Sequence, residues 1–250
     1  MTKDEVLLAK RFTDLSRQAQ QKSIAVFSEF LNLNELNIFR QEIPNLYSGF
    51  EIFGGYELSE RQMIAFLPDA LYYNLKFPIV CLKITPVNKK FAEELTHRDV
   101  LGSLMNLGIE RWSLGDILVD ETIIYVFCKD NIADYIMEQL TRIRHTVVRM
   151  ERTSPDDVNI EPKFEYVEGI ITSNRLDSII ACFCKLSRSQ ASQWIRSGKV
   201  FVNNREILNT TYECNPRELI SVRSVGRFRF LGCFGETRKG RLKIQYERYL

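Results

Sequence analysis

The feature that most limits what this chain can fold into lies between Phe77 and Met150, where the apolar patterning switches back and forth between two periods. PIVCLKIT reads as a strand, THRDVLGSLMNLG as a helix, LGDILVDE and TIIYVFC as two strands, DNIADYIMEQLTRI as a helix and HTVVRM as a strand. Alternation at every second residue marks strands, and recurrence every three or four residues marks helices. Thr96 can cap the first helix, and Gly108 stands where a helix commonly ends in a left-handed residue. The order βαββαβ is the split βαβ, or ferredoxin-like, unit. Many unrelated functions use that topology, so it selects none of them. The third strand, IIYVFC, lacks the basic-glycine-aromatic signature of the common RNA-recognition motif. Tyr125 and Phe127 share one face of it and are read as core residues rather than as a base-stacking pair.

Around this unit the chain is an α+β protein. Val6, Leu7, Ala9, Phe12 and Leu15 have helical spacing, and MTKDEVLLAKRF reads as an amphipathic helix rather than a signal peptide. Ile24, Phe27, Phe30 and Leu31 repeat the spacing after a break near 18–23, which predicts a second helical stretch. Asn34 can cap a short helix over 35–41, ending before Pro44. GFEIFGGYELSERQMIAFLP predicts a hairpin across Gly54-Gly55. After Met150, ERTSPDDVNIEPKFEYVEG is rich in acids and proline and reads as a linker. The expected organisation is an N-terminal helical and hairpin region over 1–75, the ferredoxin-like domain over 76–152, a linker over 153–168, and a C-terminal α+β domain over 169–250.

Charge divides along the same line. The net charge is +2, but residues 173–250 carry 15 Lys+Arg against 6 Asp+Glu, a balance of +9, which leaves −7 for the rest. A basic module on an acidic body is the pattern of a polyanion binder with its field focused on one part. No apolar run approaches the ~18 residues of a membrane span, so a cytoplasmic protein without a membrane partner is expected. The six cysteines form no C-x-x-C pair, and His97 and His145 lie far apart. No metal, cofactor or small-molecule substrate is expected, and the cysteines are read as small buried hydrophobes or free thiols of a reducing compartment.

The basic domain opens with ITSNRLDSIIACFCKLSRSQASQWIRSGKVFVNN. A first helix is predicted over 175–184, capped by Ser173 or Asn174; a second follows its cap, Ser187, and stops at Gly198. On the second helix Ala191, Trp194 and Ile195 form an apolar arc, and Arg188, Ser192 and Arg196 a polar one. Two arginines two turns apart suit successive phosphates, since each guanidinium can fork onto phosphate oxygens. No acid occurs from Lys185 to Arg205. Val200–Val202 reads as a strand, and Asn203-Asn204 as a turn pair that tolerates positive φ. ELISVRS is another strand, and GRFRFLG pairs with RLKIQYERYL as a β-hairpin extension across a loop holding Gly235 and Gly240. In that hairpin Arg227 and Arg229 face away from Phe228 and Phe230, and with Arg223 they carry the basic surface past the helices.

RLDSII, the SRSQASQWI helix, SGKVFVNN and ISVRS resemble the S4 RNA-binding module. With VRSVGRFRF, TRKGRLKI and the upstream block LTHRDVLGSLMNLGIERWSLGDIL, the chain from about Gly54 onward resembles the bacterial YlmH-type S4 proteins. The resemblance implies helices packed on a small sheet and an Arg-rich helix-loop surface for structured RNA. On that pattern Arg175, Arg188, Arg196, Lys199 and Arg205 face RNA. Ser187, Gln190, Ser192 and Asn203 add hydroxyl or base contacts, and Asp177 holds Arg175 or the helix start. Two positions depart from the pattern. Asn204 replaces a glycine, and Arg217-Glu218 replaces Gly-Asp, which predicts a type I turn there.

In the upstream block, His97, Arg98, Arg111 and Trp112 are candidates for a second RNA or ribosome contact. The resemblance implies a non-enzymatic monomer acting on ribosomal RNA or tRNA, with the large ribosomal subunit in quality control of stalled translation as its setting. Two alternatives remain. An S4-targeted RNA-modifying enzyme would need a catalytic Asp, and the only Arg-Leu-Asp, Arg175–Asp177, lies inside the S4 module and follows Asn174 instead of glycine. A ribosome-associated protein adaptor would use the acidic N-terminal body. No catalytic nucleophile-base pair or carboxylate dyad stands out.

Overall fold

The computed structural model describes residues 2–88, 90, 92–120, 123–155, 158 and 164–249. The chain divides into two compact units, Met1–Ile160 and Glu161–Leu250. In the first, α1 (Lys3–Lys22) starts at Thr2, whose hydroxyl accepts the Glu5 N–H at 3.2 Å while the Glu5 carboxylate accepts the Thr2 N–H at 2.8 Å. The helix buries Ala9, Phe12, Ser16 and Ala19, one stripe at helical spacing, and ends where Ser23 turns left-handed at φ 53°.

The second helical stretch expected over 24–31 does not form. Val26–Phe27 is β1, and the segment gives its backbone groups to a hairpin: Ser28 N–H to Ile64 C=O at 2.9 Å and Leu31 N–H to Gln62 C=O at 2.8 Å. Tertiary pairing overrides the helical spacing of its apolar residues. The next helix, α2 (Leu33–Glu42), is capped two residues earlier than the sequence suggested, because Asn32 Oδ1 accepts the N–H groups of both Asn34 and Glu35. The hairpin itself is β2 (Gly49–Phe53) with β3 (Met63–Leu67), in a sheet of order β1-β3-β2. Phe12, Phe39 and Phe66 meet at ring separations of 5.4 to 6.5 Å in its core, and each such ring contributes about 2 kcal/mol on leaving water.

The same unit continues through β4 (Ile79–Pro86), α3 (His97–Asn106), β5 (Leu114–Asp120), β6 (Ile123–Lys129), α4 (Asp130–Gln139), β7 (Arg142–Ile143) and β8 (Thr146–Thr153). Its antiparallel sheet has the order β5-β6-β4-β8-β7, which is the ferredoxin-like arrangement with one short extra strand. That strand shortens α4 relative to expectation, since Arg142 and Ile143 pair with Val147 and Thr146. Val100, Leu104, Ala133 and Ile136 of the helices cover Leu82, Ile84, Ile124 and Val126 on one face.

The other face carries Tyr125 and Phe127, which are 7% and 0% exposed and form core as expected. The loop between β2 and β3 covers them. Tyr56 stacks on Phe127 at 5.0 Å, and Gly55, at φ 105°, lies so close that a Cβ there would come within 2.3 Å of the Phe127 ring. The Asp116 carboxylate accepts the Tyr56 hydroxyl at 2.9 Å and the Glu60 and Arg61 N–H groups at 2.7 and 3.1 Å. Burial raises its pKa above the ordinary carboxylate value. Arg61 sends Nε to the Leu114 carbonyl at 2.9 Å and Nη2 to the Phe30 and Arg111 carbonyls at 2.9 and 3.2 Å. Arg61 and Asp116 thus tie together the two stretches that read as separate in sequence, 1–75 and 76–152.

In the second unit β9 (Phe164–Ile171) begins inside the expected linker, of which residues 156–157 and 159–163 lie outside the described residues. There follow α5 (Leu176–Phe183), α6 (Arg188–Arg196), β10 (Val200–Val202), β11 (Arg205–Glu206), β12 (Leu219–Val222), β13 (Gly226–Glu236) and β14 (Leu242–Tyr249). The strands form one sheet of order β11-β10-β12-β13-β14-β9. Gly235 belongs to β13 rather than to the hairpin loop. Both helices pack on one face: Leu176, Ile179, Ile180, Phe183, Ala191 and Ile195 meet Val200, Val202, Ile220, Phe228, Phe230 and Ile244. Phe183 lies 4.9 Å from Phe228 and 4.1 Å from Tyr246, ring to ring.

Candidate RNA-binding surface

Neither Ser173 nor Asn174 caps α5. Its first N–H groups go instead to the chain that precedes β12: Leu176 to the Tyr212 carbonyl at 2.8 Å and Asp177 to the Thr210 carbonyl at 3.2 Å. The Asn174 amide donates to the Cys214 carbonyl at 2.8 Å. This leaves Asp177, whose side chain is 6% exposed, to hold arginines. Arg175 Nη2 reaches it at 3.2 Å, and Arg188 Nη2 meets both of its oxygens, at 3.2 and 3.0 Å. Arg188 Nη1 also touches the Thr172 hydroxyl at 3.4 Å. The sequence foresaw the Arg175 contact but not that one carboxylate gathers arginines from both helices.

Both guanidinium groups stay partly exposed, with side chains 39% and 47% accessible. Beside them Ser173 Oγ, Asn174 Oδ1 and Arg175 Nε are buried and find no hydrogen-bond partner among the described residues. Buried polar groups are ordinarily paired, so three orphans in consecutive residues mark the start of α5 as a polar spot that the described residues do not satisfy.

The rest of the expected surface follows α6 and its strand. Ser187 and Gln190 are engaged with each other as a capping box, the Gln190 N–H on Ser187 Oγ at 3.2 Å and the Ser187 N–H on Gln190 Oε1 at 3.0 Å. Ser192 is half-buried, and Arg196 is exposed in the last turn. Trp194 is only half-buried, not fully inside as its arc implied, and Lys199 Nζ lies over its ring at 5.3 Å. Gly198 at φ 69° ends the helix, and Asn203 and Asn204 at φ 49° and 66° make the turn into β11, where Arg205 is exposed. Asn203 Oδ1 is occupied by the Leu219 N–H at 2.9 Å. Arg223 lies over Phe201 at 5.0 Å, and Arg227 and Arg229 lie over Tyr249 at 5.4 and 5.7 Å.

The turn at Arg217 is not of type I. Pro216 precedes Arg217, which has φ 71°, and the Glu218 N–H returns to the Asn215 carbonyl at 3.2 Å, the type II pattern with arginine where glycine is favoured. Tyr212 and Asn215 hold Glu218 at 2.7 and 2.9 Å and fix the conformation. A left-handed residue with a side chain costs on the order of 1 kcal/mol. Arg217→Gly is therefore expected to stabilise the second unit by about that amount, read as a higher urea midpoint. A lower midpoint would mean that the Arg217 side chain contributes more than its backbone costs.

The second candidate group does not behave as one surface. His97 and Arg98 are exposed in the first turn of α3. Arg111, in the turn after that helix, points inward: Nη1 donates to the Leu114 and Gly115 carbonyls at 2.9 and 3.0 Å. Burial and the nearby charge of Arg61 pull its pKa down to about 10. Trp112 is exposed, lies under Lys129 Nζ at 5.4 Å, and gives its carbonyl to the Phe30 N–H at 3.0 Å.

The six cysteines are free thiols, and burial pushes Cys81 and Cys128 up to about 12 and Cys184 to about 11, which keeps them protonated. Among the described residues no cluster of His, Cys, Asp or Glu could hold a metal ion, and no helix is long and apolar enough to cross a membrane.

Comparison with known families decides the assignment. The family described as "Putative RNA-binding domain in YlmH" matches residues 74–157, the ferredoxin-like sheet, and the S4 domain family matches residues 175–220, from α5 to β12. The chain carries a YlmH-type domain and an S4 domain. It is 25% identical to the "Ribosome-associated protein quality control protein P2" of Bacillus subtilis (strain 168), over 98% of this chain and 96% of that one. Its fold is similar to a solved structure, "Cell division protein ylmH from Streptococcus pneumoniae", at a TM-score of 0.53 and 22% identity, covering 64% of this chain and 97% of the other. In YlmH terms, the clamp of Arg175, Asp177 and Arg188 lies inside the S4 match, and Arg111 and Trp112 lie inside the other.

Proposed function

We propose that this protein binds structured RNA, ribosomal RNA or tRNA, on the large ribosomal subunit, and acts there in quality control of stalled translation. It does so as a cytoplasmic monomer and without catalysing a reaction. The observation that carries the reading is the clamp at the start of α5 and α6. Two arginines from two helices are held by one buried carboxylate, beside three orphaned polar groups and ahead of Arg196 and Lys199. Arginines fixed in this way lose little entropy when they meet phosphates. The two family matches support RNA as the ligand, and the name of the Bacillus subtilis relative supports the ribosomal setting.

The clamp also weighs against a modifying enzyme of the pseudouridine-synthase kind. Its reaction needs an accessible carboxylate, whereas the Asp177 carboxylate is buried behind two guanidinium groups.

Crosslinking the protein to RNA in cells and sequencing the bound fragments tests the proposal. Large-subunit ribosomal RNA together with tRNA is the expected yield. Recovery of small-subunit RNA or messenger RNA alone would overturn the large-subunit reading. In vitro, log affinity should fall against log salt with a slope of about −0.7 to −0.9 for each phosphate contact, near −3 for four. A flat salt response would remove the electrostatic mechanism.

A further inference from the structure

The helices cover one face of the six-stranded sheet, and the opposite face is chemically unusual. On β13, Arg227 and Arg229 point away from the core, and both lie over the ring of Tyr249 on β14. Arg229 also donates to the Tyr249 hydroxyl and lies 3.7 Å from Glu247, which is nearly buried. On β9, Phe164 pairs with Tyr249 and meets its ring edge-on at 5.3 Å, and Tyr166 pairs with Glu247 and is 68% exposed. Arg223 over Phe201 repeats the cation-on-ring pairing at the far side of the same face. The face therefore alternates rings and guanidinium planes across several strands.

We infer that this face is a stacking platform for unpaired nucleotides of RNA, distinct from the helix surface. The inference rests on the reading of the module as an RNA binder. Sequence-tolerant binding of single strands combines aromatic rings, on which bases stack, with cations that follow the backbone. Arginine planes resting on rings offer a second stacking surface of the same kind. Phe164 and Tyr166, two residues apart on one strand, are separated by roughly 6.8 Å along it, about two 3.4 Å base steps.

The charge supports RNA over other partners. Arg238, Lys239 and Arg241 are exposed at the tip of the β13–β14 hairpin and, with Thr237 and Ile170, line an open cleft at the platform's edge. A duplex would hide its base faces from such a surface. An acidic peptide could use the cations but would leave Phe164 and Tyr166 without a role.

The test uses the full chain with two RNAs, an unstructured oligouridine and a stable hairpin. Tyr166→Ala with Phe164→Ala is expected to weaken oligouridine binding about tenfold or more and to leave hairpin binding within about twofold. Arg196→Ala is expected to do the reverse. A folded double variant that binds oligouridine like wild type overturns the platform, and so does equal loss for both RNAs. Polyglutamate binding that Arg227→Ala abolishes would assign the face to an acidic protein instead. If Arg196→Ala leaves hairpin binding intact, the helix surface fails while the oligouridine comparison still reads the platform. Should the double variant misfold, photocrosslinking of thiouridine RNA to the wild type decides. Adducts on Phe164, Tyr166 or Tyr249 support the platform, and adducts confined to α5 and α6 exclude it.

Discussion

Replacing Arg188 and Arg196 together by alanine is expected to weaken binding of structured RNA about a hundredfold while the chain stays folded. Each charge-assisted hydrogen bond to phosphate is worth about 1.5 kcal/mol, so two lost contacts give about 3 kcal/mol, or two factors of ten. The salt slope should become shallower by about 1.5. The fold survives because Asp177 keeps Arg175 as partner and because α6 retains its capping box and the buried Ala191 and Ile195. The cost in stability is about 1 kcal/mol, the scale of an ion pair whose arginine is half exposed. Arg196→Ala alone separates binding from the clamp, since Arg196 is exposed at the far end of the helix, and about tenfold is expected. Electrophoretic mobility shift with circular dichroism on the same samples checks both. A folded double variant with wild-type affinity would remove the S4 helices from the RNA interface.

The largest effect on stability is expected in the other unit, from Arg61→Ala. The Phe30 carbonyl loses this donor, the Leu114 and Arg111 carbonyls keep only Arg111 Nη1 and the Leu114 N–H, respectively, and Asp116 remains buried without the nearby guanidinium. Unpaired buried acceptors cost about 1–3 kcal/mol each, and breaking a buried charged network costs about 3–5 kcal/mol. A destabilisation of about 4 kcal/mol is expected, lowering the melting temperature of the first unit by about 10 °C. Arg61→Lys should rescue little, because an ammonium cannot fork among three carbonyls. The two tryptophans report the units separately, Trp112 in the first and Trp194 in the second. In a Trp194→Phe background the early loss of Trp112 signal is the expected result. An unchanged transition would mean that the hairpin region holds to the sheet without Arg61.

What the sequence disclosed and what it withheld have physical reasons. The βαββαβ order was legible because Leu82, Ile84, Val100, Leu104, Ile124 and Ile136 repeat at the periods their elements require. The cap at Ser187, the stop at Gly198 and the Asn203-Asn204 turn were legible because their chemistry is local. The strand at Val26–Phe27 was not, since its partners at 65 and 66 are distant and its apolar spacing fits a helix. The same holds for β9, whose pairing with β14 spans the whole module. Among site residues, the basic charge of α6 was visible. The roles of Arg111 and Asp177 depended on which way each side chain turned, inward to carbonyls for one and toward two guanidinium groups for the other. An arginine in an acid-free run advertises itself as a ligand for anions, but an arginine such as Arg61 or Arg111 looks the same in sequence when it is a structural bolt.

The pairing of β14 has a consequence for how the protein comes into being. That strand lies between β13 and β9, and it is synthesised after every other strand of its sheet. While the ribosome is still adding Leu242–Tyr249, β9 and β13 both wait with open edges, and Tyr246 is missing from the core against Phe183. Unpaired edges invite wrong partners. The S4 helices can be capped and in place before then, but the sheet beneath them closes only when β14 is added. A nascent chain of this protein that stalled before β14 would carry a module unable to complete its own sheet.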